Sequence, residues 1–284
     1  MWSEKTNKTF MDAQYAEFIA NKTGYYTATS TSHMVLLSVP MLHGSNTEAL
    51  LARFRKTDAA QFLRSEIDGI STNAYKRQHS ILLENFATNE SAVDENYTSG
   101  KSSILVKPLS RGYVEARTNN IWDPPTVNHR TFSHPLDMEN VLASLRMARR
   151  ILNAKEMKPL NPVETAPGLR MQSDDDLKEW IRENMSPGGA HMCCSVPMGS
   201  VLDTRMRVLG LNGLRVVDTS SWPMIPGGHT TQVLCLFLGC PALQQQPLTS
   251  DSVPLMLLRR EQRILSKRMP AVPVHSLGIQ VSSI

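Results

Sequence analysis

Two histidines near the C-terminus each sit in a segment of turn-forming residues, and any fold of this chain has to decide where those two segments go. His191 lies in GGAHMCCSVPMG (188–199) and His229 in DTSSWPMIPGGHTTQ (218–232). Between them runs RMRVLGLNGLRVVD (205–218), turn-rich and ending in an apolar run and an aspartate. Two imidazoles delivered to one point can move a proton near neutral pH.

The rest of the chain reads as helices with short strands. Residues 8–22 have helical apolar spacing at Phe10, Met11, Tyr15, Phe18 and Ile19, and Gly24 ends the helix. Residues 33–42 read as a buried strand, 47–90 as a charged helical region and 91–102 as a polar loop. ILVKPL (104–109) and GYVEART (112–118) read as a strand pair around Ser110-Arg111-Gly112. The clearest helix is 136–153, with Met138, Val141, Leu142, Leu145, Ala148, Ile151 and Leu152 on one face. Asp137 and Glu139 at its start and Arg149 and Arg150 near its end suit the helix dipole. A helix over 174–184 opens on Ser173 and Asp176, and LRVVD (214–218) reads as a buried strand.

Composition narrows the function classes. A net charge of +4 on 284 residues, with no nucleic-acid-binding signature, argues against a nucleic-acid partner. The longest apolar run, Met34 to Leu42, is too short to span a bilayer, which argues against a membrane partner. Cys193, Cys194, Cys235 and Cys240 lack zinc-type spacing, so no metal is expected. Adjacency gives Cys193 and Cys194 a poor geometry for bridging each other, and buried free thiols are the expectation. No apolar signal-peptide core follows Met1-Trp2-Ser3-Glu4-Lys5, yet Asn7, Asn21, Asn89, Asn96 and Asn184 begin N-x-Ser/Thr sequons. Localisation stays open, and the sequons suit a secreted ancestor.

The ordered run from His191 to Gln232 resembles the glucose–methanol–choline (GMC) flavin oxidoreductases. It carries His191, Met198-Gly199, Asp203, GLRVVDTS (213–220), Pro223, Pro226 and Gly228-His229 in the family's order. PLSRGYVEART (108–118), DPP (123–125) and the helix starting near Pro135-Leu136-Asp137 look like the family's substrate domain. Cys194-Ser195 and PGGHTTQ (226–232) look closest to a fungal branch that includes aryl-alcohol oxidases, patulin synthase and versicolorin B synthase. The resemblance implies an α+β architecture. Residues 1–190 would form a substrate domain with an antiparallel sheet and helices. Residues 191–245 would supply the catalytic segment and the returning part of the α/β FAD domain, and 246–284 a non-family, poorly ordered tail.

The implied chemistry is FAD-dependent oxidation of a small-molecule alcohol by hydride transfer to the flavin, in fungal secondary metabolism. His191 would be the catalytic base and His229 its partner on the substrate oxygen. Asp218 and Thr219 would approach the cofactor's phosphates and ribityl chain, and Thr230 and Thr231 the flavin ring. A homodimer is left open. Three departures stand against the pattern: no G-x-G-x-x-G to cradle the FAD pyrophosphate, Gly239-Cys240-Pro241 where the final helix should continue, and Val196 where the branch often has a cysteine. The first two fit a truncated or altered product. A dehydrative cyclase using the same two histidines, and a non-catalytic remnant, are the alternative functions.

Overall fold

The computed structural model describes residues 8–27, 34–97, 103–160, 162–187, 191–227, 230, 233–234 and 281–282. In chain order the first elements are α1 (Lys8–Asn21), β1 (Met34–Ser38), α2 (Val39–His43), α3 (Thr47–Arg55) and α4 (Gly69–Asn85). They are followed by β2 (Ala92–Tyr97), β3 (Ser103–Leu105), β4 (Tyr113–Glu115), β5 (Thr126–Asn128), α5 (Pro135–Leu152), α6 (Asp174–Asn184) and β6 (Val281–Ser282). The strands form two antiparallel three-stranded sheets, β1-β2-β3 and β5-β4-β6, so the α+β class holds.

Helix α5 joins the two main hydrophobic clusters because its sequence is apolar on two stripes. Leu136, Ala143 and Met147 pack into a cluster with Leu37, Leu51, Phe54, Leu83 and Val93 from β1, α3, α4 and β2. Met138, Val141, Leu142 and Leu145 pack against Leu177 and Ile181 of α6. Pro135 occupies the first turn, where its missing N–H costs nothing. The α6 start is also as the sequence reads, with the Ser173 side chain accepting from the Asp176 N–H.

Four local expectations are corrected. The 33–42 strand stops at Ser38, whose side chain caps α2, and Pro40 in the first turn of that helix removes a strand donor. The 91–102 segment is not a polar loop where it is described: residues 92–97 form the central strand β2, with Asp94, Glu95 and Asn96 buried. Burial is tolerated because the Asn96 amide donates to Ser144 Oγ at 2.7 Å and to Asp94 Oδ1 at 3.2 Å, and Ser144 Oγ donates to Asp94. The strands near 104–109 and 112–118 do not pair with each other: β3 pairs with β2, and β4 pairs with β5. Gly112 permits the second pairing, since a Cβ there would lie 2.2 Å from the Asn128 carbonyl oxygen. LRVVD forms no strand. Arg207 and Arg215 make an isolated bridge that encloses tight turns at Gly210 and Gly213, whose φ angles of +80° and +81° favour glycine.

Helix α1 forms as expected but buries no residue, and its apolar face meets Tyr25 and Tyr26 through edge-on ring contacts from Phe10 and Tyr15. Of the 246–284 tail only Val281–Ser282 is described, along the edge of β4. The rest of that expectation falls outside the described residues.

The buried histidines are structural. His134 caps α5, its Nδ1 accepting the Leu136 N–H at 3.2 Å, so its own proton sits on Nε2 and is donated to His79 Nε2 at 3.1 Å. Burial, with the neighbouring His79 and Arg111, pushes the His134 pKa from 6.5 down to about 3. Burial also lowers His79 and His43. Below their ordinary pKa these side chains take up protons in the unfolded chain and not in the folded one. Stability is therefore lost as pH falls from 6.5 toward 3. Denaturant unfolding should show a loss of ~2 kcal/mol or more between about pH 7 and about pH 5. His134→Asn, which keeps a capping acceptor, should shrink that slope; an unchanged slope would refute the assignment. Separately, Leu177→Ala, at a fully buried site between α6 and α5, should lower unfolding free energy by ~2–5 kcal/mol.

Candidate functional site

The segment 108–111 is pinned from several sides, and it fixes one wall of the site. The Asp137 carboxylate, in the first turn of α5, accepts the Leu109 N–H at 2.8 Å and the Ser110 N–H at 2.7 Å. Ser110 Oγ accepts the His134 N–H, and the Tyr75 hydroxyl donates to the Leu109 carbonyl. Arg111 donates to the Pro108 and Ser110 carbonyls and to Gln78. Burial pushes the Asp137 carboxyl up and the Arg111 guanidinium down, and their mutual attraction opposes both shifts.

A second wall comes from the His191 segment, which runs beside the turn that follows Asp218. The N–H groups of Cys194, Val196 and Met198 donate to the carbonyls of Thr219, Ser220 and Ser221 at 3.0, 2.9 and 2.9 Å. Thr219 Oγ1 donates to the Met192 carbonyl at 3.3 Å. These bonds bring His191 and Thr219 into one substructure. Asp218 caps its own turn, accepting the Ser220 N–H at 2.8 Å and the Ser220 hydroxyl. Thr230 is helical and buried, and Val233 and Leu234 pack beside Trp222 against Cys193 and Cys194. His229 and Thr231 lie outside the described residues.

Cys193 and Cys194 are joined by a disulfide, against the expectation of free thiols. The backbone makes this possible: Cys194 has φ +72°, a left-handed conformation that adjacent extended residues do not reach. The bridge is buried against Trp222 and lines the site.

Between these walls lies a cavity of about 570 Å³, a size suited to a small-molecule ligand. Leu105, Val141, Leu145, Ile151, Trp180 and Ile181 give it an apolar lining. His191, half-buried, faces the same cavity, as do Cys193 and Cys194. Three cations line it, namely Lys107, Arg111 and Arg149, the last paired with Glu164 at 2.8 Å. Sequence reading picked out His191 but neither Lys107, nor the Arg149–Glu164 pair, nor the disulfide. Lys107 directly precedes PLSRG, so its place next to a pinned loop was the only available signal. Arg149 and Glu164 pair across a loop that follows α5, which no local pattern encodes.

Comparison with known proteins gives this geometry a family. Residues 108–237 match the family model described as GMC oxidoreductase. Over that segment the chain is similar to the GMC oxidoreductases. Among curated relatives, the dehydrogenase xptC of Emericella nidulans is 34% identical over 174 residues, covering 58% of this chain and 28% of that protein. Patulin synthase of Aspergillus clavatus is 33% identical over 141 residues, covering 47% and 22%. The chain therefore spans about a quarter of the length of the curated relatives it matches. Among solved structures, an FAD-dependent oxidoreductase from Chaetomium thermophilum superposes with a TM-score of 0.76 at 30% identity, covering 82% of this chain and 42% of that one. A fungal aryl-alcohol oxidase gives a TM-score of 0.68 at 28% identity, covering 81% and 41%.

The disulfide is directly testable. Digestion of the denatured chain under thiol-blocking conditions, without reductant, should leave the peptide holding Cys193 and Cys194 unmodified. Prior treatment with a dithiol reductant should add two blocking groups to it. Two groups added before reduction would refute the bridge.

Proposed function

We propose that this chain carries the substrate pocket and catalytic base of an FAD-dependent GMC enzyme that oxidises a CH–OH group of a small molecule. The observation that carries the reading is His191 on the wall of the apolar cavity, hydrogen-bonded through its own segment to the Asp218–Ser221 turn. His191 lines the same cavity as Leu105 and Val141, and in this reading an alcohol seated against those side chains presents its hydroxyl to it. Its imidazole would then take the hydroxyl proton as general base. His229, two residues beyond Gly227, is assigned to hold the developing alkoxide oxygen. The apolar lining keeps bulk water from competing for His191.

FAD, when bound, supplies the hydride acceptor. The residues present fit its flavin end: Thr230, helical and buried, brings neutral donors, and the Asp218 carboxylate is occupied by its own turn. They do not supply the other end, since the 284 residues contain no G-x-G-x-x-G. The proposal therefore requires that the ADP half be held by residues other than these. No observation favours the cyclase reading over oxidation, and the two separate in one experiment.

The purified chain, incubated with FAD and passed over gel filtration, should retain flavin colour. Anaerobic addition of an aryl alcohol should then bleach the flavin bands. His191→Ala should lower the bleaching rate by ~10²–10⁴-fold. Product formed without bleaching would point to acid–base cyclisation, and a colourless chain would end the claim of independent catalysis.

A further inference from the structure

Of the three cations that line the cavity, two are fully engaged. Arg111 spends its guanidinium on the Pro108 and Ser110 carbonyls and on Gln78. Arg149 is paired with Glu164 and also donates to the Met171 carbonyl at 2.9 Å. Lys107 differs. Its Nζ donates to Ser91 Oγ at 2.9 Å, and among the described residues it forms no ion pair. Ser91 is neutral and itself buried, 5% exposed, so it orients the ammonium without neutralising it.

The placement of Lys107 makes this unbalanced charge consequential. The side chain is half-buried, and burial alone pulls its pKa down, with no carboxylate pushing the other way. Its Cε and Nζ lie 3.3 Å from where a Cβ on Gly227 would stand, on the loop that leads to His229. An ammonium held partly out of water beside an apolar cavity pays a desolvation cost that an incoming oxyanion would offset. A neutral ligand of the same shape offers no such return.

We propose that Lys107, oriented by Ser91, is an anion-binding subsite of the cavity, and that its ligands are amphipathic, with an apolar or aromatic body and a carboxylate or similar oxyanion. This rests on the reading of the cavity as the substrate pocket. It narrows the substrate class from alcohols in general to hydroxylated molecules that also carry a negative charge. The apolar body packs on Leu145 and Trp180, while the oxyanion accepts from Lys107 Nζ.

Calorimetry on the intact 284-residue chain tests this without turnover. The probes are 6-(hydroxymethyl)-2-naphthoate, its methyl ester as a neutral isostere, and inorganic pyrophosphate. The naphthoate should bind about tenfold or more tightly than the ester. Lys107→Met should bring the two to equal affinity by weakening the naphthoate and sparing the ester. Lys107→Arg should keep the preference, and Ser91→Ala should weaken it, so the conclusion does not hang on one variant folding. Equal affinities in the parent chain, a preference that survives Lys107→Met, or no binding of either organic probe would each overturn the proposal. So would pyrophosphate displacing the naphthoate as well as unlabelled naphthoate does, because the subsite would then recognise charge without the apolar body. Failure here leaves the redox reading standing, and a flavin-free chain that still prefers the naphthoate would leave the subsite standing while ending only the claim of independent catalysis.

Discussion

One buried carboxylate organises the part of the molecule that matters most. Asp137 stands in the first turn of α5, where free N–H groups and the helix dipole favour negative charge. It reaches across to accept the backbone N–H groups of Leu109 and Ser110. Both partners are backbone, so the bond constrains the path of the chain and not merely a side chain. That path carries β3 and Lys107 along one side of the cavity and sends the chain on through Gly112 to β4. With Tyr75, His134 and Arg111 tied to the same four residues, this wall is far more rigid than a surface loop of its length would be.

The opposite wall is built by a different device. Residues 192–198 hold no regular secondary structure, yet three of their N–H groups are satisfied by consecutive carbonyls at 219–221. The two halves of the sequence signature are thus stitched to each other by backbone bonds, and Trp222 and the Cys193–Cys194 bridge fill the space behind them. Turn formers at 191–199 and 218–227 are what permit this ladder-like pairing without a sheet.

How much of this was legible depends on how locally each feature is encoded. Helices α5 and α6 were readable because their apolar residues repeat with the helical period and their caps are the residues that physics prefers there. Strand β2 was not, because Asp94, Glu95 and Asn96 look like solvent-facing residues until Ser144, on a helix far along the chain, meets them. The split of 33–42 into strand and helix turned on Ser38 and Pro40, two residues against an apolar run. In the site, the family resemblance singled out the His191 segment, Asp218 and Thr219, and backbone bonds join those two segments. Asp218 proved to be spent on a turn. The disulfide was hidden because adjacency forbids it for ordinary backbone, and nothing in the sequence announces the left-handed Cys194. Lys107 was hidden because a charge without an ion pair among the described residues is defined by what does not surround it.

The buried Asn96 has a consequence for any route this chain takes through a glycosylating compartment. Its side-chain nitrogen begins an N-x-Thr sequon, yet in the fold it is 6% exposed and spends both amide hydrogens on Ser144 and Asp94. A sugar attached there would replace one of those hydrogens and would need an exit through the centre of the β1–β2–β3 sheet, next to α5. The folded state and the modified state are therefore mutually exclusive at this position. Oligosaccharide transfer and closure of the sheet would compete for the same nitrogen.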